Sequence, residues 1–125
     1  MIFDTDILVW YFRGNGKAAL VIDRCESRKI STITYLELLQ GAKNKRETKS
    51  IKDFLSDYLF QTIPLSENIG TRAIVYMEQY ALRTGMCLSD AIIAATVVES
   101  NEVIYTGNIK HYKLISGLDL KTFRV

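Results

Sequence analysis

The chain has 125 residues, a formal net charge of +2, 48% hydrophobic and 24% charged residues, and a single proline. This is the size of one domain and the composition of a folded protein, so residues 1–125 are expected to form a single domain, and the small charge does not by itself establish a polyanionic partner. Its apolar stretches are too short or too interrupted by charge to cross a bilayer, and Asp4 and Asp6 break the first of them, which argues against a secretory leader and for a cytoplasmic protein without a membrane partner.

In chain order, residues 1–3 read as a short buried strand and residues 7–12 as a helix stopped by Arg13-Gly14-Asn15-Gly16. A second helix is expected over residues 18–25, a short strand over 29–32, and a third helix over 35–42 with Leu36, Leu38 and Leu39 on or near its apolar face. Ile51, Phe54, Leu55 and Tyr58 stand at helical spacing and predict a helix over 46–58; residues 60–64 read as a strand stopped by the proline. Ser66 and Glu67 open a long helix to about residue 83, carrying Ile69, Ala73, Tyr76, Met77 and Tyr80 on one stripe. After Gly85 a helix is expected over 89–98, a buried strand over 103–105 and a short edge strand over 120–125. Strands alternating with helices, and no hairpin dipeptide between them, predict an α/β fold on a parallel sheet with helices on both faces. Functional groups in such sheets gather beyond the carboxyl ends of the strands. Cys25 and Cys87 have no CxxC spacing, so neither a zinc site nor a disulfide framework is expected.

Three acids stand out by position. Asp4 ends the first strand, Glu37 follows the second by a few residues, and Asp90 opens the helix over 89–98. Each has a structural explanation: Thr34-x-x-Glu37 spells a capping box, Ser89-Asp90 an N-cap with an acid in the first turn, and Asp4 can cap the helix after it. Capping does not require them to converge, yet Asp4 and Glu37 fall at the same sheet edge. Carboxylates about 5 Å apart repel by roughly 3 kcal/mol per pair at an effective dielectric near 20. A divalent cation relieves that repulsion, and oxygen ligands without His or Cys suit Mg²⁺ or Mn²⁺. The small residues Ala91, Ala94 and Ala95 let the last long helix approach the sheet closely, either to press Asp90 into the cluster or as ordinary tight core.

The motifs carry a family resemblance. Ile2-Phe3-Asp4-Thr5-Asp6-Ile7-Leu8, Ser31-Thr32-Ile33-Thr34-x-x-Glu37-Leu38, Leu88-Ser89-Asp90-Ala91-x-Ile93-Ala94-Ala95 and Tyr105-Thr106-x-Asn108-x-x-His111-Tyr112 resemble, in order, the four motifs of the PIN-domain family, and within it the VapC-type toxin ribonucleases of toxin–antitoxin pairs. The resemblance implies an α/β/α sandwich on a central parallel sheet of four to five strands. It also implies Mg²⁺ or Mn²⁺ held by Asp4, Glu37 and Asp90, with Asp6 as a further ligand or a solvated helix-start acid, and hydrolysis of RNA phosphodiester bonds. Where many relatives place a fourth acid, this chain has neutral Asn108 and His111; Thr106, Asn108 and His111 are accessory candidates that orient water or a ligand, or touch phosphate. One firmly held metal is expected rather than two.

An RNA substrate gives the basic run Lys43, Lys45, Arg46, Lys49 and Lys52 a role as a phosphate-contacting surface; alone, such a run is a solvated helix face. The resemblance further implies a homodimer and a VapB-like antitoxin lying in a groove by the active site, for which Trp10, Tyr11 and Phe12 are candidates if they are not simply core. Two other classes stand beside this reading. A PIN-fold module that binds RNA or protein without cutting fits the neutral fourth motif, and a haloacid-dehalogenase-like phosphatase fits Asp4-Thr5-Asp6 but lacks the catalytic Lys and later acid pair that family needs.

Overall fold

The computed structural model describes residues 1–125. The elements run β1 (Ile2–Phe3), α1 (Thr5–Phe12), α2 (Gly16–Arg24), β2 (Lys29–Ser31), α3 (Thr32–Gly41), α4 (Lys45–Asp57), β3 (Gln61–Ile63), α5 (Glu67–Thr84), α6 (Leu88–Glu99), β4 (Val103–Thr106), α7 (Ile109–Tyr112) and β5 (Asp119–Thr122). The five strands form one sheet in the order β3-β2-β1-β4-β5, and every pairing is parallel. No helix is long and apolar enough to cross a membrane.

Successive side chains of a strand point to opposite faces, and the two residues of β1 show it. Ile2 and Phe3 are both fully buried, Ile2 among side chains of α5, α6 and α7, Phe3 among those of α1, α2 and α4. Two apolar layers thus sandwich the sheet, as expected for a parallel sheet whose crossovers carry helices.

Several helices begin earlier than the apolar periodicity predicts, because polar residues at the strand ends cap them. Asp4 accepts the Thr5 N–H as N-cap of α1, and Ser31 accepts the Ile33 N–H as N-cap of α3. Asn15, inside the segment read as a breaker, caps α2 through the Ala18 N–H at 2.9 Å. β2 and β1 therefore run into their helices with no intervening loop. Gly85 closes α5 with φ of 74°, a left-handed conformation that costs glycine little. The short helix α7 has no counterpart in the predicted elements.

In α6 Ala91, Ala94, Ala95 and Val97 are fully buried, and the helix lies against β2, β4, α3 and α5. Dense packing on several sides leaves no room for a longer side chain. Ala95→Leu is therefore expected to destabilise the fold by roughly 1–3 kcal/mol, read as a lowered urea midpoint with an unchanged slope.

Candidate active site

In the order β3-β2-β1-β4-β5 the sheet grows in one direction from β1 to β3 and in the other through β4, so β1 and β4 flank the switch point where open parallel sheets collect ligands. Asp4 follows β1 and Thr106 closes β4, and the two side chains meet: Thr106 Oγ1 donates to Asp4 Oδ2 at 2.6 Å. The Asp4 N–H donates to the Tyr105 carbonyl at 2.9 Å, and Asp4 Oδ1 accepts the Thr5 N–H at 2.8 Å. Asp4 is thus both a helix cap and a buried acid, 4% exposed. Burial is the main reason its pKa is pushed up to about 7; the Asp6 charge adds to it, the Thr106 donor opposes it, and Asp90 raises it further.

Asp90 stands in the first turn of α6, where its Oδ2 accepts the Cys87 N–H at 3.1 Å. The N-cap of this helix is Cys87 rather than Ser89. Asp90 Oδ2 also lies 3.1 Å from Cys87 Sγ and 2.8 Å from His111 Nδ1. Its other oxygen, Oδ1, has one partner, the Tyr112 hydroxyl, which donates at 3.2 Å.

Asp6 lies in the first turn of α1, and its Oδ2 accepts the Gly107 N–H at 2.9 Å. A Cβ at position 107 would stand 3.0 Å from that oxygen and 3.2 Å from the Phe123 carbonyl, so the close approach depends on glycine. Asp6 Oδ1 is buried with no hydrogen-bond partner. Burial raises the Asp6 pKa, the Gly107 N–H opposes that, and Asp90 adds to it.

Glu37 joins the group through Thr5, whose Oγ1 donates to Glu37 Oε1 at 2.7 Å and lies 3.0 Å from the Thr34 hydroxyl. The Thr34-x-x-Glu37 spelling is not a capping box here. Thr34 is buried inside α3, Ser31 is the cap, and Glu37 bonds a side chain of α1. In the fourth motif the Asn108 N–H donates to Thr106 Oγ1 at 2.9 Å, and the Asn108 side-chain amide lies 2.7 Å from His111 Nδ1.

These side chains do not close around one point as a three-ligand cage of Asp, Glu, His or Cys. The charges of Asp6 and Asp90 nevertheless raise the cost of ionising Asp4, and that of Asp90 the cost of ionising Asp6. A hard divalent cation fits this set. The donors are oxygens, one buried carboxylate oxygen lacks any partner, and Mg²⁺ commonly takes one or two carboxylates and completes its shell with water and substrate phosphate.

Lys43 lies just before α4 beside Glu37, where both line an open groove of about 670 Å³ with Arg13 and Glu47 over apolar Phe12 and Leu38. Of the three aromatics proposed for a groove, only Phe12 lines this one; Tyr11 packs on Phe54 with ring centroids 4.3 Å apart. Lys45, Arg46 and Lys49 are exposed on α4 outside the groove, and Lys49 pairs with Asp53 at 2.7 Å. Sequence reasoning passed over Thr5, Cys87 and Tyr112. Thr5 and Tyr112 stand inside the motifs already quoted, but a threonine at a helix start and a tyrosine among apolar residues read as ordinary cap and core.

Residues 1–115 match the model of the family described as PIN domain. The chain is 30% identical over 129 residues to Ribonuclease VapC1 of Rickettsia felis, covering 98% of this chain and 95% of that protein. It is 26% identical over 125 residues to Ribonuclease VapC1 of Methanocaldococcus jannaschii, covering 98% of this chain and 86% of that one. Among solved structures, a chain of a toxin–antitoxin complex from Klebsiella pneumoniae superposes with a TM-score of 0.82 at 29% identity, over 99% of this chain and 98% of that one.

A carboxyl group whose pKa is higher folded than unfolded binds more protons in the folded state, so stability falls as pH rises between the two values. For Asp4 that window runs from 3.8 to about 7. Without divalent ions, the wild type is expected to lose roughly 2 kcal/mol through this group between pH 5.5 and pH 8. Asp4→Asn removes that loss, so urea denaturation in EDTA should show the variant gaining on the wild type as pH rises across this range.

Proposed function

The chain belongs to the PIN-domain family, and from that premise we propose that it is a metal-dependent ribonuclease that hydrolyses RNA phosphodiester bonds as the toxin of a VapBC-type pair, its 125 residues forming one catalytic domain. The observation that carries the proposal is the crowding of Asp4, Asp6 and Asp90 at the switch point of the sheet, where burial and the charges of Asp6 and Asp90 push the Asp4 pKa up to about 7 and one buried oxygen of Asp6 has no partner. Capping α1 and α6 accounts for one oxygen each of Asp4 and Asp90 but not for the unpartnered oxygen of Asp6. A cation site does.

In this reading Asp4, Glu37 and Asp90 are the residues that would hold Mg²⁺ or Mn²⁺, with the unpartnered oxygen of Asp6 as a further donor. Such an ion would supply Lewis-acid chemistry there, lowering the pKa of a bound water and offsetting charge on the phosphate. The side chains act by fixing geometry. Thr106 holds Asp4 through Oδ2 and Thr5 holds Glu37 through Oε1. Asn108 steadies Thr106 through its backbone N–H, and His111 stands against Asp90 Oδ2. In this reading no side chain serves as a nucleophile, and hydrolysis proceeds without a covalent enzyme intermediate.

Lys43, with Arg13, stands on the groove beside Glu37 and is suited to the RNA backbone; Lys45, Arg46 and Lys49 extend the positive surface along α4. The same groove, apolar below and charged at its rim, suits a segment of a VapB-like antitoxin. The relative from Klebsiella pneumoniae is described as part of a toxin–antitoxin complex. Ile74 and Leu82 stand exposed on α5, apolar surface of the kind a second copy covers in a homodimer.

Incubating the protein with a mixed RNA pool tests the reading. Cleavage is expected with Mg²⁺ or Mn²⁺, to stop in EDTA, and to fall about a hundredfold or more in Asp90→Asn. Cutting that persists in both EDTA and the variant would sink the metal-dependent mechanism. Metal binding without any cutting would favour a binding module, consistent with the neutral pair Asn108 and His111.

A further inference from the structure

Tyr112 is the last residue of α7, and its side chain is 1% exposed within the apolar layer built by α5 and α6. Phenylalanine would fill that space without placing a hydroxyl there, and a buried hydroxyl is tolerated only where it finds a partner. The Tyr112 hydroxyl reaches the carboxylates: it donates to Asp90 Oδ1 at 3.2 Å and stands in the field of Asp4 as well as Asp90.

The two oxygens of Asp90 are unequally engaged. Oδ2 is met by the Cys87 N–H, Cys87 Sγ and His111 Nδ1, whereas Oδ1 has the Tyr112 hydroxyl alone. A carboxylate oxygen accepts more than one contact, so Oδ1 keeps capacity for a cation while Oδ2 is taken up by the protein. We infer that Tyr112 is a positioning residue for the metal site: its neutral O–H fixes the direction of Asp90 Oδ1, the oxygen of that carboxylate left open to a divalent cation. This rests on the reading of Asp4 and Asp90 as metal ligands. A neutral donor orients a ligand carboxylate without competing with the cation for it, as outer-shell hydrogen bonds do in metal sites.

Tyr112→Phe keeps the ring and removes only the hydroxyl. Mn²⁺ affinity, measured by titration calorimetry on the full chain without RNA, is expected to fall about tenfold or more, while the melting temperature in EDTA stays within a few degrees of wild type. Because Tyr112 acts through Asp90, the same substitution on an Asp90→Asn background should produce no further loss. An affinity within twofold of wild type, or a full additional loss on the Asp90→Asn background, would overturn the inference. If Asp4→Asn and Asp90→Asn both leave Mn²⁺ binding intact, the underlying assignment of the ligands fails and the inference falls with it. If those two lose binding and Tyr112→Phe does not, only the role of Tyr112 is refuted.

Discussion

The sheet brings negative charge to its own centre, and much of the architecture answers to that. Asp4 lies directly after β1, the middle strand, with neighbours on both sides in the sheet and an apolar layer above and below. A carboxylate there has little access to water, and Asp6 and Asp90 add repulsion to the cost of burial. The fold responds with neutral donors: a threonine hydroxyl and a backbone N–H on Asp4, a glycine N–H on Asp6, a tyrosine hydroxyl on Asp90. These hold the acids in place without cancelling their charge. A salt bridge from Lys or Arg would have neutralised the cluster and closed it to a cation, and none of the ion pairs formed by those residues involves these acids.

That contrast extends to the other end of β1. There the terminal ammonium of Met1 and the side chain of Lys29 both pair with Glu102, which holds its carboxyl below the usual range. One end of the sheet is neutralised by cations, whereas at the other the acids meet hydroxyls, backbone N–H groups and His111. Paired charge and the acidic cluster are thus segregated along the strand direction, and Asp4 serves both the helix and the cluster, accepting the Thr5 N–H with Oδ1 and the Thr106 hydroxyl with Oδ2.

Much of this was legible in the residues. Alternating apolar strands and helical stripes gave the parallel α/β order, the end of the first strand gave Asp4, and the resemblance of the fourth motif gave Thr106. Helix starts were the weak point, because Asp4, Ser31 and Asn15 each extend a helix beyond its apolar pattern through a side-chain hydrogen bond. Helix α7 escaped notice because four residues are too few to establish a period. With it went Tyr112, whose ring belongs to the core and whose hydroxyl belongs to the site. Composition cannot separate two such roles in one side chain. Thr5 is similar: its link to Glu37 crosses 32 positions, and no local pattern announces it.

The pairing of β1 with β4 has a consequence for the life of the molecule before it is complete. Ile2 pairs with Ile104, and Asp4 takes its threonine donor from a residue 102 positions away. During synthesis, which proceeds from the N-terminus at roughly 5–20 residues per second, the first strand and its acid emerge long before the strand that completes their surroundings. The nascent chain therefore cannot assemble this cluster until β4 has left the ribosome. Until then Asp4 has neither its neighbouring strand nor its threonine donor, so the acid made first is among the last to find its surroundings.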